Sequence, residues 1–270
     1  MILKDFIPPI FIKLFKITHE YKSYHEVLNK AKKGAYENKI LCQVVADKTN
    51  RFITELKTKP YQLNATNVFL LATIQSFFNE TKKKDIRIVD FGGACGVHYY
   101  EVLPFIPKDC IVKWTVIETK EMVTSAKKFG CGNQNLNFIC NSDEVIGEVD
   151  LIYSSCALLY VKNPYLELDK LIKLNAKWIL FNRMMFNEND RDVYTLQKSK
   201  LSGNGPGKLP KEYMDVEMSY PNTTLSLPKF KKALSVFYSI EWEFKESSGT
   251  HQVNFHNIIG MGLFLKLKSH

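Results

Sequence analysis

Nowhere in the 270 residues is there a run of about 20 apolar side chains, so no segment is expected to span a bilayer. The six cysteines, Cys42, Cys95, Cys110, Cys131, Cys140 and Cys156, include no CxxC pair, and no cleavable signal peptide is read ahead of them. Reduced thiols in a cytoplasmic setting are therefore expected, not a disulfide scaffold. No H-x-x-x-H or comparable ligand spacing occurs, so no metal site is expected. Basic clusters interleaved with aromatics are also missing, and nucleic acid is not expected as a partner. The absence of repeats and low-complexity tracts argues against solenoids and disordered linkers.

What is present fits an ordinary globular chain, with 45% apolar and 24% charged residues. Lysine and arginine (37) exceed aspartate and glutamate (28), a formal charge of +9 that favours anionic partners such as nucleic acid, phosphorylated glycans or the inner membrane leaflet without choosing among them. The excess is dispersed in pairs and triplets, among them Lys82-Lys83-Lys84 and Lys231-Lys232, as a solvated surface would have it. Residues 1–17 combine Ile10, Phe11, Leu14, Phe15 and Ile17 with Lys13 and Lys16 behind Pro8-Pro9. This pattern allows a short basic amphipathic helix, lying either on the domain or peripherally at the inner membrane face.

Apolar spacings of three and four residues predict helices over 24–33, 40–55 and 65–79, the last capped by Asn64 or Thr66, which makes residues 1–80 a helical entry region. From residue 81 to 270 short β-rich runs alternate with helical stretches, the pattern of a parallel sheet with crossover helices. Strands are read at 87–90, 113–118, 136–141, 149–154 and 178–182, followed by a helix at 227–236 and an antiparallel pair at 238–244 and 258–267. The fold class expected is α/β, a Rossmann-like sheet of seven strands, mostly parallel with an antiparallel C-terminal strand. Between 184 and 224 a segment rich in turn residues, with Gly203, Gly205, Gly207 and Pro206, is read as an insertion covering the site.

The strongest local signal is I-V-D-F-G-G-A-C-G from Ile88 to Gly96, an apolar strand entering a small-residue turn before a helix near Val97. Gly92, Gly93, Ala94 and Gly96 leave room for a ligand to approach the backbone. The G-x-G-x-x-G spacing that seats a pyrophosphate is not met. With Asp90 at the strand end, the turn matches S-adenosylmethionine better, because that cofactor carries an amino acid and a sulfonium in place of phosphates. Glu118 stands 22 residues past Gly96 (118 − 96), where a βαβ unit places the carboxylate that accepts ribose hydroxyls.

Ser142 and Asp143, after the third strand, are candidates to bond the adenine or to cap a helix. Ser154, Ser155 and Cys156 end the fourth strand, where ligands collect in such sheets. Tyr160 and Arg183 are candidates for the acceptor, Arg183 through bidentate pairing with an anion. A hydroxyl acceptor needs a base, and His98, His251 and His256 are the candidates because histidine titrates near neutrality.

These residues together resemble a class I S-adenosylmethionine-dependent methyltransferase, and more narrowly a bacterial family encoded beside surface-polysaccharide biosynthesis genes. The likeness is carried by Ile7-Pro8-Pro9-Ile10, the run Asp90 to Tyr100, Trp114 to Glu118, Asp150 to Tyr160, Asn182 to Phe186, and Tyr220-Pro221. The chain departs from that family at Cys95, where a bulky aliphatic residue is usual, and at Val97 and His98, where small hydroxyl residues are usual. The resemblance implies methyl transfer to a sugar hydroxyl of a cell-surface glycan or its nucleotide- or lipid-linked precursor. A methyltransferase for a small soluble metabolite and an inactive, partner-binding member of the fold remain the alternatives.

Overall fold

The computed structural model describes residues 19–31, 35–58, 65–245, 251–253 and 256–269. The candidate membrane segment 1–17 and the candidate cap Asn64 lie outside these residues. Thr66 falls inside the helix it was expected to cap.

After a two-residue strand β1 (Glu20–Tyr21), three helices precede the sheet: α1 (Tyr24–Lys30), α2 (Lys39–Glu55) and α3 (Ala65–Thr81). In α3 the buried residues Asn67, Leu70, Ile74, Phe77 and Phe78 recur at helical spacing and define the face that meets the sheet. Strands β2 (Asp85–Phe91), β3 (Ile111–Ile117), β4 (Leu136–Ile139), β5 (Leu151–Ser155) and β6 (Trp178–Asn187) are joined by α4 (Val97–Val102), α5 (Lys120–Lys128) and α6 (Pro164–Lys173). The chain continues through β7 (Val193–Lys200), β8 (Glu217–Ser226), α7 (Leu227–Ser235), β9 (Tyr238–Lys245), β10 (His251–Val253) and β11 (His256–Leu267).

The central sheet runs β4-β3-β2-β5-β6-β11-β9. Pairing is parallel from β4 to β6, and β11 is antiparallel to both β6 and β9. Both faces are covered, so strand residues alternate between two cores. Ile86, Ile88, Trp114, Leu151 and Tyr153 pack with α2, α3 and α5 on one side. Val89, Phe91, Ile117, Ile152 and Ile179 pack with α6 and α7 on the other.

The segment expected as a turn-rich insertion is more ordered than its composition suggests. β6 extends to Asn187, and β7 and β8 form an antiparallel hairpin whose end lies parallel to the tip of β6 at Phe186 and Asn187. Thr195, Ser219, Asn222, Thr223 and Thr224 are buried there, and a buried backbone must find partners, which a β ladder supplies. Gly203, Gly205, Gly207 and Pro206 lie in the stretch between the two strands, while Pro221 falls within β8.

Candidate active site

In the sheet, β2 pairs with β3 on one side and β5 on the other, so the chain order reverses at β2. In open α/β sheets such a reversal leaves a crevice beyond the carboxyl ends of the strands. A cavity of about 930 Å³ lies there, lined from the sheet side by the turn after β2 and by the ends of β3 and β5. Gly92 adopts φ +73°, and a Cβ at that position would run into Ala157; a Cβ at Gly93 would run into the carboxylate of Asp90. Glycine is required at both by close approach. Ala94 adopts φ +50°, a conformation costly for alanine, and its N–H donates to Oε1 of Glu118 at 3.1 Å.

Glu118 follows β3 directly and lines the cavity. Its Oε2 accepts from the N–H of Thr119 at 2.8 Å. Burial pushes its carboxyl up to about 7; the two backbone hydrogen bonds oppose this shift, and the charge of Asp90 adds to it. Each oxygen retains a lone pair, so the group can still accept two hydroxyls from a ligand. Cys140, Asn141 and Ser142, just past β4, continue the wall beyond Glu118. Asn141 caps the short turn Ser142–Glu144, and Asp143 faces solvent beside it, off the cavity.

Asp90 shares its strand face with Ile86 and Ile88, so it points into the core below α4. It is fully buried beneath Gly93 and does not form part of the cavity wall. Its Oδ2 accepts from Nδ1 of His98 at 2.9 Å and from Nε1 of Trp114 at 3.2 Å, while Oδ1 has no partner among the described residues. His98 stands on the cavity wall with its ring edge-on to Tyr153. A carboxylate on one imidazole nitrogen fixes the tautomer and leaves the other as a base.

Parity along β5 separates the two serines. Ser155 lines the cavity and accepts from Nε of Arg183 at 2.8 Å. Ser154 is turned to the opposite face, where its hydroxyl donates to the carbonyl of Phe91. Cys156 and Arg183 both have positive φ, +57° and +53°, and both line the cavity, with the guanidinium 3.7 Å from the Cys156 sulfur. Tyr160 lines the far end with Tyr36, their rings 5.0 Å apart, and Tyr36 stacks on Tyr220 at 4.3 Å. Desolvation drives the phenols of Tyr36 and Tyr160 above the ordinary tyrosine range.

The structure thus brings Gly92, Gly93, Ala94, His98, Glu118, Ser142, Ser155, Cys156, Tyr160 and Arg183 to one cavity. Gly96 lies behind it, against Leu136. His256 belongs to a separate cluster with Glu20 and Arg191, because β11 begins at the other end of that hairpin layer; the backbone of His251 pairs with Ile258 in the same region. Gly203, Gly205 and Pro206, from the segment read as a cover, line the cavity together with Asn204. Among the lining residues not foreseen are Tyr36, Asn67 and Glu101. Glu101 stands one helical turn from His98, so its spacing offered a signal. The others come from distant parts of the chain and carried none.

The sheet order, with β11 inserted antiparallel between β6 and β9, is the mostly parallel Rossmann-like sheet with an antiparallel C-terminal strand that the sequence led one to expect. No family model matches the chain, and no curated protein matches it. Solved structures to which the chain is similar include an S-adenosylmethionine-dependent methyltransferase from Clostridium acetobutylicum, 14% identical with a TM-score of 0.48, over 82% of this chain and 98% of that one. The N-terminal domain of EvdMO1 with S-adenosylhomocysteine bound is 12% identical, TM-score 0.44, over 81% and 95%. Magnesium protoporphyrin IX methyltransferase from Synechocystis, also with S-adenosylhomocysteine, is 12% identical, TM-score 0.42, over 86% and 99%. At these identities and TM-scores the likeness assigns this chain no role.

Proposed function

We propose that the protein is an S-adenosylmethionine-dependent methyltransferase. One observation carries the reading: the carboxylate of Glu118 stands on the cavity wall, tied by the N–H of Ala94 to a turn in which Gly92 and Gly93 admit no side chain. That arrangement suits a ribose on Glu118, an adenine beside Asn141 and Ser142, and a thioether chain along the glycine turn towards Ser155. The cofactor supplies an activated methyl group on a sulfonium. The protein's own task is then to align an acceptor and take its proton, and alignment accounts for much of the rate in such displacements.

Among the described side chains, His98 is the histidine on the cavity wall, and Asp90 orients it, so we assign it the role of base for a hydroxyl acceptor. Arg183 and Tyr160 face the same space and would position the acceptor. The sugar of a surface glycan or its nucleotide- or lipid-linked precursor rests on the family resemblance, and the anion-binding capacity of Arg183 is compatible with it.

Calorimetric titration with S-adenosylmethionine and S-adenosylhomocysteine tests the cofactor. Glu118→Ala is expected to weaken both by about tenfold or more, since charge-assisted hydrogen bonds to the ribose are lost. A wild-type protein that binds neither ligand refutes the reading. For the acceptor, radiolabelled methyl transfer to nucleotide- and lipid-linked sugars is the assay. His98→Asn should lower kcat with S-adenosylhomocysteine affinity retained; undiminished turnover removes His98 as the base.

A further inference from the structure

We propose that Glu101 binds the ammonium group at the amino acid end of the cofactor and that Asn67 positions it; this rests on the S-adenosylmethionine reading above. Glu101 lies one turn beyond His98 on α4 and lines the cavity, as does Asn67 from the first turn of α3. Asn67 is only 3% exposed and its side-chain amide donates to Oε2 of Glu101, while its own Oδ1 has no partner among the described residues. A neutral amide fixes the carboxylate without cancelling its charge. Among the described residues Glu101 makes no ion pair, and Arg183, a cation on the same cavity, donates to Ser155 and Cys156.

The corner therefore has acceptors in excess of donors. Asp90, bonded to His98 one turn before Glu101, adds a second carboxylate below this wall. The ligand group that completes such a corner must bring both N–H donors and positive charge. On the proposed cofactor only the ammonium does both, because a sulfonium has no hydrogen to donate. Asn67, His98 and Glu101 line the same cavity as Gly92, Gly93 and Glu118.

The test is a binding titration of the wild type and Glu101→Gln with S-adenosylhomocysteine and with 5′-methylthioadenosine, which is the same nucleoside thioether without the amino acid end. Glu101→Gln preserves the shape and the contact with Asn67. It should weaken S-adenosylhomocysteine by about tenfold or more and leave 5′-methylthioadenosine unchanged. Equal affinity of both proteins for S-adenosylhomocysteine, or equal weakening of both ligands, overturns the proposal. Should the variant not fold, the wild type is titrated with S-adenosylhomocysteine whose amine is replaced by hydrogen; a loss of the same size supports the assignment, and no loss overturns it. Failure of the wild type to bind either nucleoside instead removes the cofactor reading itself.

Discussion

At the scale of single residues the raised carboxyl of Glu118 makes a prediction with a definite sign. Its ordinary value is 4.5 and in the fold it reaches about 7, so the folded protein holds that proton more tightly than the unfolded chain. The contribution to stability is present in full below pH 4.5 and is lost as the pH rises through 7. The ligand-free protein should therefore melt lower at pH 8 than at pH 5, and Glu118→Gln should flatten that difference in calorimetric scans. Ribose hydroxyls donate more strongly to the ionised form, which accepts through both oxygens, so S-adenosylhomocysteine affinity is expected to move the other way, weakening as the pH falls below about 7. A Gly93→Ala substitution brings a methyl group against the Asp90 carboxylate and should disturb both the turn and the seat of His98. Its readout is a joint loss of melting temperature and cofactor affinity. The turn and Glu118 were legible in the sequence because both lie within one βαβ unit, where spacing along the chain is spacing in space. Asp90 was legible as a type and not as a position, because strand parity decides whether a side chain meets the cavity or the core.

At the scale of elements, the contact that closes the cavity from above joins α2 to the β7–β8 connection. Lys48 is 2% exposed in the middle of α2, and its ammonium donates to the carbonyls of Ser202 and Asn204 at 2.8 and 2.5 Å. Burial lowers its pKa, against the pull of Asp215. The two carbonyls flank Gly203, so this side chain ties α2 to residues that line the cavity. Asn204 is held further by the hydroxyl of Tyr220, which donates to its Oδ1 at 3.2 Å. Lys48→Met retains the aliphatic stem and orphans both carbonyls, at a cost of about 1–3 kcal/mol. Faster hydrogen exchange over residues 201–206 and weaker cofactor binding are expected; unchanged exchange there would mean that the loop is held by its strands alone. The sequence marked this stretch as a cover by its glycines and prolines. It did not reveal the hairpin around it, since β7 and β8 lack the clean alternation of a strand with one wet face: Tyr220 to Ser226 are buried without interruption.

At the scale of the whole molecule, the cavity is bounded by elements from both the helical entry region and the sheet, namely α2, α3, the ends of β2, β3 and β5, and residues 203–206. A ligand held there binds the folded state and not the unfolded chain, so it must stabilise the protein by mass action. At 100 times its Kd, S-adenosylhomocysteine should add about 2.7 kcal/mol, which for a chain of this size is a rise of roughly 5–10 °C in Tm. Differential scanning calorimetry of wild type and Glu118→Ala at equal ligand concentration measures it, and the variant should lose most of the shift.

The sequence by itself determined the α/β alternation, the glycine turn and its partner carboxylate, because each depends on residues near one another in the chain, whose periodicity and spacing carry the geometry. It also supplied the residue types from which a base and an anion-binding group are drawn. Which of the described histidines lines the cavity, which serine of the Ser154-Ser155 pair does so, and the presence of Asn67, Glu101 and Tyr36 on its wall were decided only by tertiary structure. Those choices follow from the packing of α2 and α3 over the sheet, and contacts between segments so far apart in the chain leave no local pattern from which they can be read.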